Sequence, residues 1–404
     1  MARLPTLDRK HHVLQVDNNL GTSGWQVMAA VSRGVDRSSV TWPATLGRWG
    51  VTPLVIGLWV AHEALVALGP LVPFAMGPNA AFFGVPWYHF DVGWYLSIAR
   101  YGYLPAHEQM AAYFPGVPAY LWLAHSRLIA LIGLQLLLLL LLVQVGRLAT
   151  AWGLSGRRVV LVQALVALSP AAVFYSTAYP EIWLAVGLCG ALLAMRASKP
   201  WEAAAWSALA GVVDPLGLVV GLGAATWVMS GMARRNWPAV RAGVTWGLGS
   251  VGGLVIVMGV LEANLGHPLE FIRAQQAWGA RWTVPGVQVV QALTEARAAP
   301  ATLAALGVLP IVAMGLVGLV QRARWSAWHL ACAVVGATFL VLPLAFYSNR
   351  TPLSSTALFL SVDVPAAIGL SALASRRLAW GPLIWYGGWS AVGAVLFTHG
   401  WFWG

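Results

Sequence analysis

The chain has 404 residues, 59% of them hydrophobic and only 9% charged, with a net charge of +11. A soluble domain carries roughly 25% charged residues, because water must solvate its surface. Thirteen acids and 24 bases cannot cover a globule of this length, which excludes a soluble enzyme, a disordered chain and a fibrous protein and leaves an all-α polytopic membrane protein.

In chain order, residues 1–48 are polar and mixed in charge and read as a cytosolic tail, not a signal peptide. A spanning helix needs ~20 apolar residues at ~1.5 Å rise each. Apolar runs of that kind lie near 49–70, 128–146, 159–178, 182–196, 201–230, 243–262, 301–320, 326–346, 355–374 and 379–398. They are continuous and rich in Leu, Ala and Gly, so membrane strands are not expected. Cys189 and Cys332 sit inside such runs and read as small core residues without a disulfide. No CxxC or HxxxH spacing points to a metal, and no cofactor is expected.

Orientation follows from the bases. The tail holds Arg3, Arg9, Lys10, Arg33, Arg37 and Arg48. Later clusters are Arg147/Arg157/Arg158, Arg196/Lys199, Arg234/Arg235/Arg241, Arg322/Arg324 and Arg376/Arg377. If the tail is cytosolic, all of these should be cytosolic. One stretch breaks the parity: 201–230 lies between two basic clusters, so a single crossing would put them on opposite sides. It contains Asp214-Pro215, a polar residue followed by a helix breaker. We therefore expect two short helices, about 201–213 and 215–230, meeting at an outward bend. That gives about eleven spans and puts 18 of the 24 bases in the cytosol.

The long connections, about 71–127 and 263–300, then face outward, and long loops tend to carry function. The outer acids are Asp91, Glu108, Glu181, Asp214, Glu270 and Glu295. Asp91 stands in PWYHFDVGWYLSIARYGY, among aromatics. An acid at the membrane boundary is costly without a role or a partner. Residues 94–103 read as an interfacial helix anchored by Trp94, Tyr95, Ile98 and Tyr101. Asp91 at its start is either an N-cap or an ionised general base, and spacing alone leaves both open.

FDVGWYLSIARYGY (90–103) resembles the first-loop motif W-D-x-x-W-Y-x-x-I-A-x-x-G-Y of the PIG-V-like mannosyltransferases, the family of GPI mannosyltransferase 2 and its bacterial relatives. Further segments are similar to that family in the same order. They are YFPGVPAY (113–120), SPAAVFYSTAYPE (169–181), PLGLVVGLGA (215–224), FIRAQQAWGARW (271–282) and LFTHGWFW (396–403). The chain departs from the pattern with Phe90 in place of Trp and with Asp214 where the family often has Arg, and the family's late P-R-Y motif is not clear.

The resemblance implies a GT-C-type membrane fold with the tail inside and the active site outside a plasma membrane. It implies an inverting transferase that moves mannose from a polyprenyl-phosphate carrier to a glycolipid or glycan hydroxyl, without a metal. Asp91 would be the general base. Arg350, Arg281, His267 and Arg100 are candidates for the donor phosphate. Glu181, Gln275, Trp278, Trp94 and Tyr95 are candidates for sugar or acceptor contacts. Alternatives are a GT-C transferase using another polyprenyl-phosphate sugar, a non-enzymatic lipid or solute transporter, and an inactive relative serving as a binding subunit.

Overall fold

The computed structural model describes residues 50, 52–77, 87–294, 300–322, 326–347, 351–374 and 380–401. The expected tail, 1–48, lies outside the described residues. The helices in chain order are α1 (Pro53–Leu68), α2 (Asp91–Tyr101), α3 (Gly116–Ala124), α4 (Arg127–Ala151), α5 (Arg157–Ala167) and α6 (Glu181–Arg196). They continue with α7 (Pro200–Val213), α8 (Leu218–Ala233), α9 (Trp237–Leu265), α10 (Glu270–Ala277) and α11 (Val287–Thr294). The last are α12 (Pro300–Arg322), α13 (Ala327–Ala345), α14 (Thr356–Ser361), α15 (Val364–Leu373) and α16 (Trp380–Thr398).

The chain is an all-α polytopic membrane protein. Six helical stretches among the described residues are long and apolar enough to cross a bilayer: 53–71, 127–151, 215–233, 237–265, 300–322 and 327–345. The physics of α4 is representative. Ser126 starts it by accepting from the Ile129 N–H at 3.1 Å. Leu134, Leu138, Leu141 and Leu142 are fully buried on one face, whereas Leu128, Ile132 and Leu136 are exposed on the other. In water that exposed stripe would be a liability; lipid solvates it.

Small residues bring α6, α7, α8 and α9 together. A Cβ on Gly249 would collide with the Ala204 carbonyl, and one on Gly190 would strike the Trp206 ring. Where the hydrophobic effect cannot drive helices together, such close backbone approach supplies the packing. The Trp246 indole N–H donates to Ser207 Oγ at 2.7 Å across the same seam.

The glycine contacts also give helix directions. Ala204, Ala208 and Gly211 of α7 meet Gly249 and Gly253 of α9 in ascending order. Gly223, Val228 and Gly231 of α8 meet Trp246, Gly243 and Val240 in descending order. The chain therefore reverses between α7 and α8, with Gly217 folded back on Ala210. This is the bend expected at Asp214-Pro215, where Asp214 Oδ1 accepts from the Leu216 N–H at 2.7 Å.

Two expected spans are not single helices. The run 159–178 is α5 followed by turns and a 3-10 segment, Ala172–Tyr175. Pro170 lacks the N–H that would continue the helix and disfavours helical backbone at Ser169. The run 355–374 breaks between α14 and α15, because Asp363 caps α15 by accepting from the Ala366 N–H at 3.0 Å. His62 of α1 repairs the first break: its Nδ1 donates to the Ala167 carbonyl at 2.7 Å, and its Nε2 meets Ser176 Oγ at 2.8 Å. The Tyr175 hydroxyl joins the two breaks by donating to the Ser361 carbonyl at 2.7 Å.

One pairing has no signature in the local pattern of residues. Arg281–Trp282 (β1) and Phe346–Tyr347 (β2) form a short antiparallel ribbon, Arg281 opposite Tyr347. It ties the 263–300 connection to the end of α13. Cys189 and Cys332 are buried free thiols, as expected.

Candidate functional site

The second connection folds over the first and encloses a cavity of about 850 Å³. One wall is the start of α2. Phe90, with φ of 54°, turns the chain so that Asp91 becomes the first helical residue. Asp91 is thus inside the helix and not the N-cap, a position held by Phe90 with no side-chain cap bond. The Asp91 N–H donates to the Tyr179 hydroxyl at 3.3 Å, and the Tyr113 hydroxyl donates to Asp91 Oδ1 at 3.1 Å.

Aromatic packing fixes Tyr113. Its ring stacks on Trp94 with centroids 6.0 Å apart and meets the edge of Tyr95 at 5.3 Å. Trp278 stands edge-on to Tyr113 at 6.2 Å. The Tyr103 hydroxyl donates to the Tyr113 carbonyl at 2.6 Å. This cage leaves the Asp91 carboxyl half-buried. Burial pushes its pKa up to about 6, while the Tyr113 hydrogen bond works the other way.

Glu181, first residue of α6, and Asp214, at the α7–α8 reversal, face the same cavity. Glu181 is 6% exposed, and its Oε2 has no hydrogen-bond partner. Burial raises Asp214 to about 7, opposed by the Leu216 N–H. The other wall comes from α10 and the ribbon, with Phe271, Gln275, Trp278 and Arg281. The Arg281 guanidinium lies 4.3 Å from the centroid of the Tyr347 ring. Among the described residues it is the one basic residue lining the cavity.

The structure therefore gathers Asp91, Tyr95, Glu181, Gln275, Trp278 and Arg281, drawn from segments almost 200 residues apart. Trp94 does not line the cavity but backs Tyr113. Arg100 is exposed and lies over its neighbour Tyr101 at 5.4 Å, and His267 is exposed just beyond α9; neither reaches the cavity. Arg350 lies outside the described residues. Tyr95 and Ile98 are buried in the core and are not interfacial anchors; Tyr101 is exposed and fits that role. An 11-residue helix has one face to pack, and here the Tyr95/Ile98 face is the one it packs inward.

Several lining residues carry no site assignment from the sequence, among them Tyr113, Tyr179, Asp214 and Gln276. Both tyrosines stand within the aromatic, proline-rich segments already noted, but nothing in their spacing says which ring would reach Asp91. The pairing needs the fold. Asp214 was legible as a bend and as an acid of the outward face, not as a wall of this cavity.

Chemically, the described lining offers the Asp91 carboxyl, two further carboxyls, the amides of Gln275 and Gln276, indole faces and the Arg281 guanidinium. That set can accept a proton from a hydroxyl, bind polyol groups and stack a sugar ring. No protein-family model, curated protein or solved structure matches the chain.

Proposed function

We propose that this protein is an inverting glycosyltransferase acting on the extracytoplasmic side of a plasma membrane. It moves a mannosyl residue from a polyprenyl-phosphate-mannose donor to a hydroxyl of a lipid-linked or glycan acceptor. The observation that carries the reading is Asp91: a half-buried carboxyl on the cavity wall, held by Tyr113, with a pKa of about 6. The resemblance of its surrounding motif to PIG-V-like mannosyltransferases supplies the reaction class.

In the proposed step, the acceptor oxygen attacks the anomeric carbon as the bond from that carbon to the phosphate oxygen breaks. Asp91 takes the acceptor proton, and the phosphate leaves with the electron pair. A base must lie within ~3 Å of that proton and be ionised at working pH, which a carboxyl of this pKa is at neutrality. A phosphate needs no strong acid to leave, only a charge to hold it. Arg281 suits that task, with its aliphatic stem held at the ribbon and its guanidinium at the cavity edge. Trp278 offers a ring face and Gln275 an amide for sugar hydroxyls.

The test is transfer in vesicles. Purified protein with radiolabelled polyprenyl-phosphate mannose and a membrane glycolipid extract should move label to an acceptor with inversion at the anomeric centre. Failure of any polyprenyl-phosphate sugar to bind or react would overturn the reading.

A further inference from the structure

A second, much smaller space of about 20 Å³ has room for a single water-sized occupant. It sits where the two broken runs meet. Ser169 enters from the segment after α5, Ser361 and Asp363 come from the break between α14 and α15, and Tyr386 of α16 closes it. The rest of its described lining is apolar, and among the described residues no Lys, Arg or His lines it.

Asp363 is 3% exposed. Its Oδ1 is spent on capping α15, and its Oδ2 is sealed from solvent with no hydrogen-bond partner. Ser169 is 2% exposed, and its hydroxyl lies beside that of Tyr175. A carboxylate at a helix start is attracted by the helix dipole, yet a buried charge that nothing neutralises is costly. The Ser361 hydroxyl donates to the Leu358 carbonyl at 2.6 Å, so its oxygen lone pairs remain available. Oxygen donors at the ends of interrupted helices, around a carboxylate and a small void, form the chemistry that holds a hard cation inside a membrane protein.

We propose that this space binds one small monovalent cation, sodium in preference to the larger potassium. Asp363 Oδ2 is the charged ligand, and the oxygens of Ser169, Ser361 and Tyr386 complete the shell. The site has a consequence for the large cavity. Ser355, Leu358 and Phe359 line the large cavity, while Leu360 and Ser361 of the same short helix line the small one. Occupancy therefore fixes the α14 wall.

The test is thermal unfolding of the purified full chain, titrated with sodium, potassium or choline chloride at constant ionic strength. The expected result is a saturating rise in midpoint of roughly 2–4 °C in sodium alone. Asp363→Asn keeps a good helix cap but loses the charge, and its midpoint should not respond to sodium. Ser169→Ala should show the same rise at several-fold higher sodium. Equal midpoints in all three salts would overturn the proposal and leave the space to water or a proton. A sodium response retained by Asp363→Asn would do the same. Should that variant not fold, the wild-type ion series and Ser169→Ala decide. The readout does not involve sugar transfer, so it stands apart from the proposed activity.

Discussion

The seam between α7 and α9 and the cavity between α2 and α10 are built on opposite rules. At the seam, Gly249, Gly253 and Ala204 bring backbones into contact, and the Trp246 indole N–H donates to Ser207 Oγ. At the cavity, Asp91, Glu181 and Asp214 gather like charges around unfilled space, and Glu181 keeps an unpartnered oxygen. The seam holds the helices; the cavity carries Glu181 Oε2, which has no hydrogen-bond partner among the described residues. A region packed backbone to backbone is positioned for stability, whereas one that gathers carboxyls around unfilled space is positioned for a ligand.

Substitutions can break this contrast. The largest effect is expected from Gly249→Val, because the added carbons have no space against the Ala204 carbonyl. No folded protein should be recovered from detergent extracts by size-exclusion chromatography. Arg281→Ala should leave the melting temperature close to wild type but cut transfer by roughly 10–100-fold, since one charge-assisted contact to phosphate is lost.

A smaller and more specific effect is expected from Tyr113→Phe. Transfer requires the ionised Asp91, so the rate should fall as pH drops through about 6. The Tyr113 hydroxyl favours the ionised form. Its removal should shift the acid limb of kcat/KM upward by roughly one pH unit. Gly259→Ala is the control. Nothing lies near a Cβ placed there, and the melting temperature should change by no more than the equivalent of about 0.5 kcal/mol.

Much of this architecture was legible in the sequence. Charge scarcity gave the membrane class, and the parity of basic clusters located the reversal at Asp214. Cavity residues were legible where a segment combined an acid or amide with aromatics in a long connection, as at Asp91, Gln275 and Trp278. Hydropathy alone could not show that 159–178 and 355–374 break. A run of apolar residues looks the same whether one helix or two half-helices bury it, and the decisive features are single residues, Pro170 and Asp363. The pairing of Tyr113 with Asp91, and of Arg281–Trp282 with Phe346–Tyr347, depends on contacts distant in the chain that no local pattern encodes.

The central claim is that Asp91 is the base of a transfer reaction, and one comparison tests it most directly. Wild-type protein and Asp91→Asn are reconstituted in vesicles and assayed with radiolabelled polyprenyl-phosphate mannose, with thermal unfolding measured in parallel. Transfer should fall by about 10²–10⁴-fold. Stability should not fall with it. The folded-state pKa of Asp91 lies above its unfolded value, so the stability this carboxyl contributes is present in acid and lost as pH rises through about 6. Above that pH, the uncharged Asn should therefore melt at the same temperature as wild type or higher. Full transfer activity in the folded Asp91→Asn protein would contradict the account.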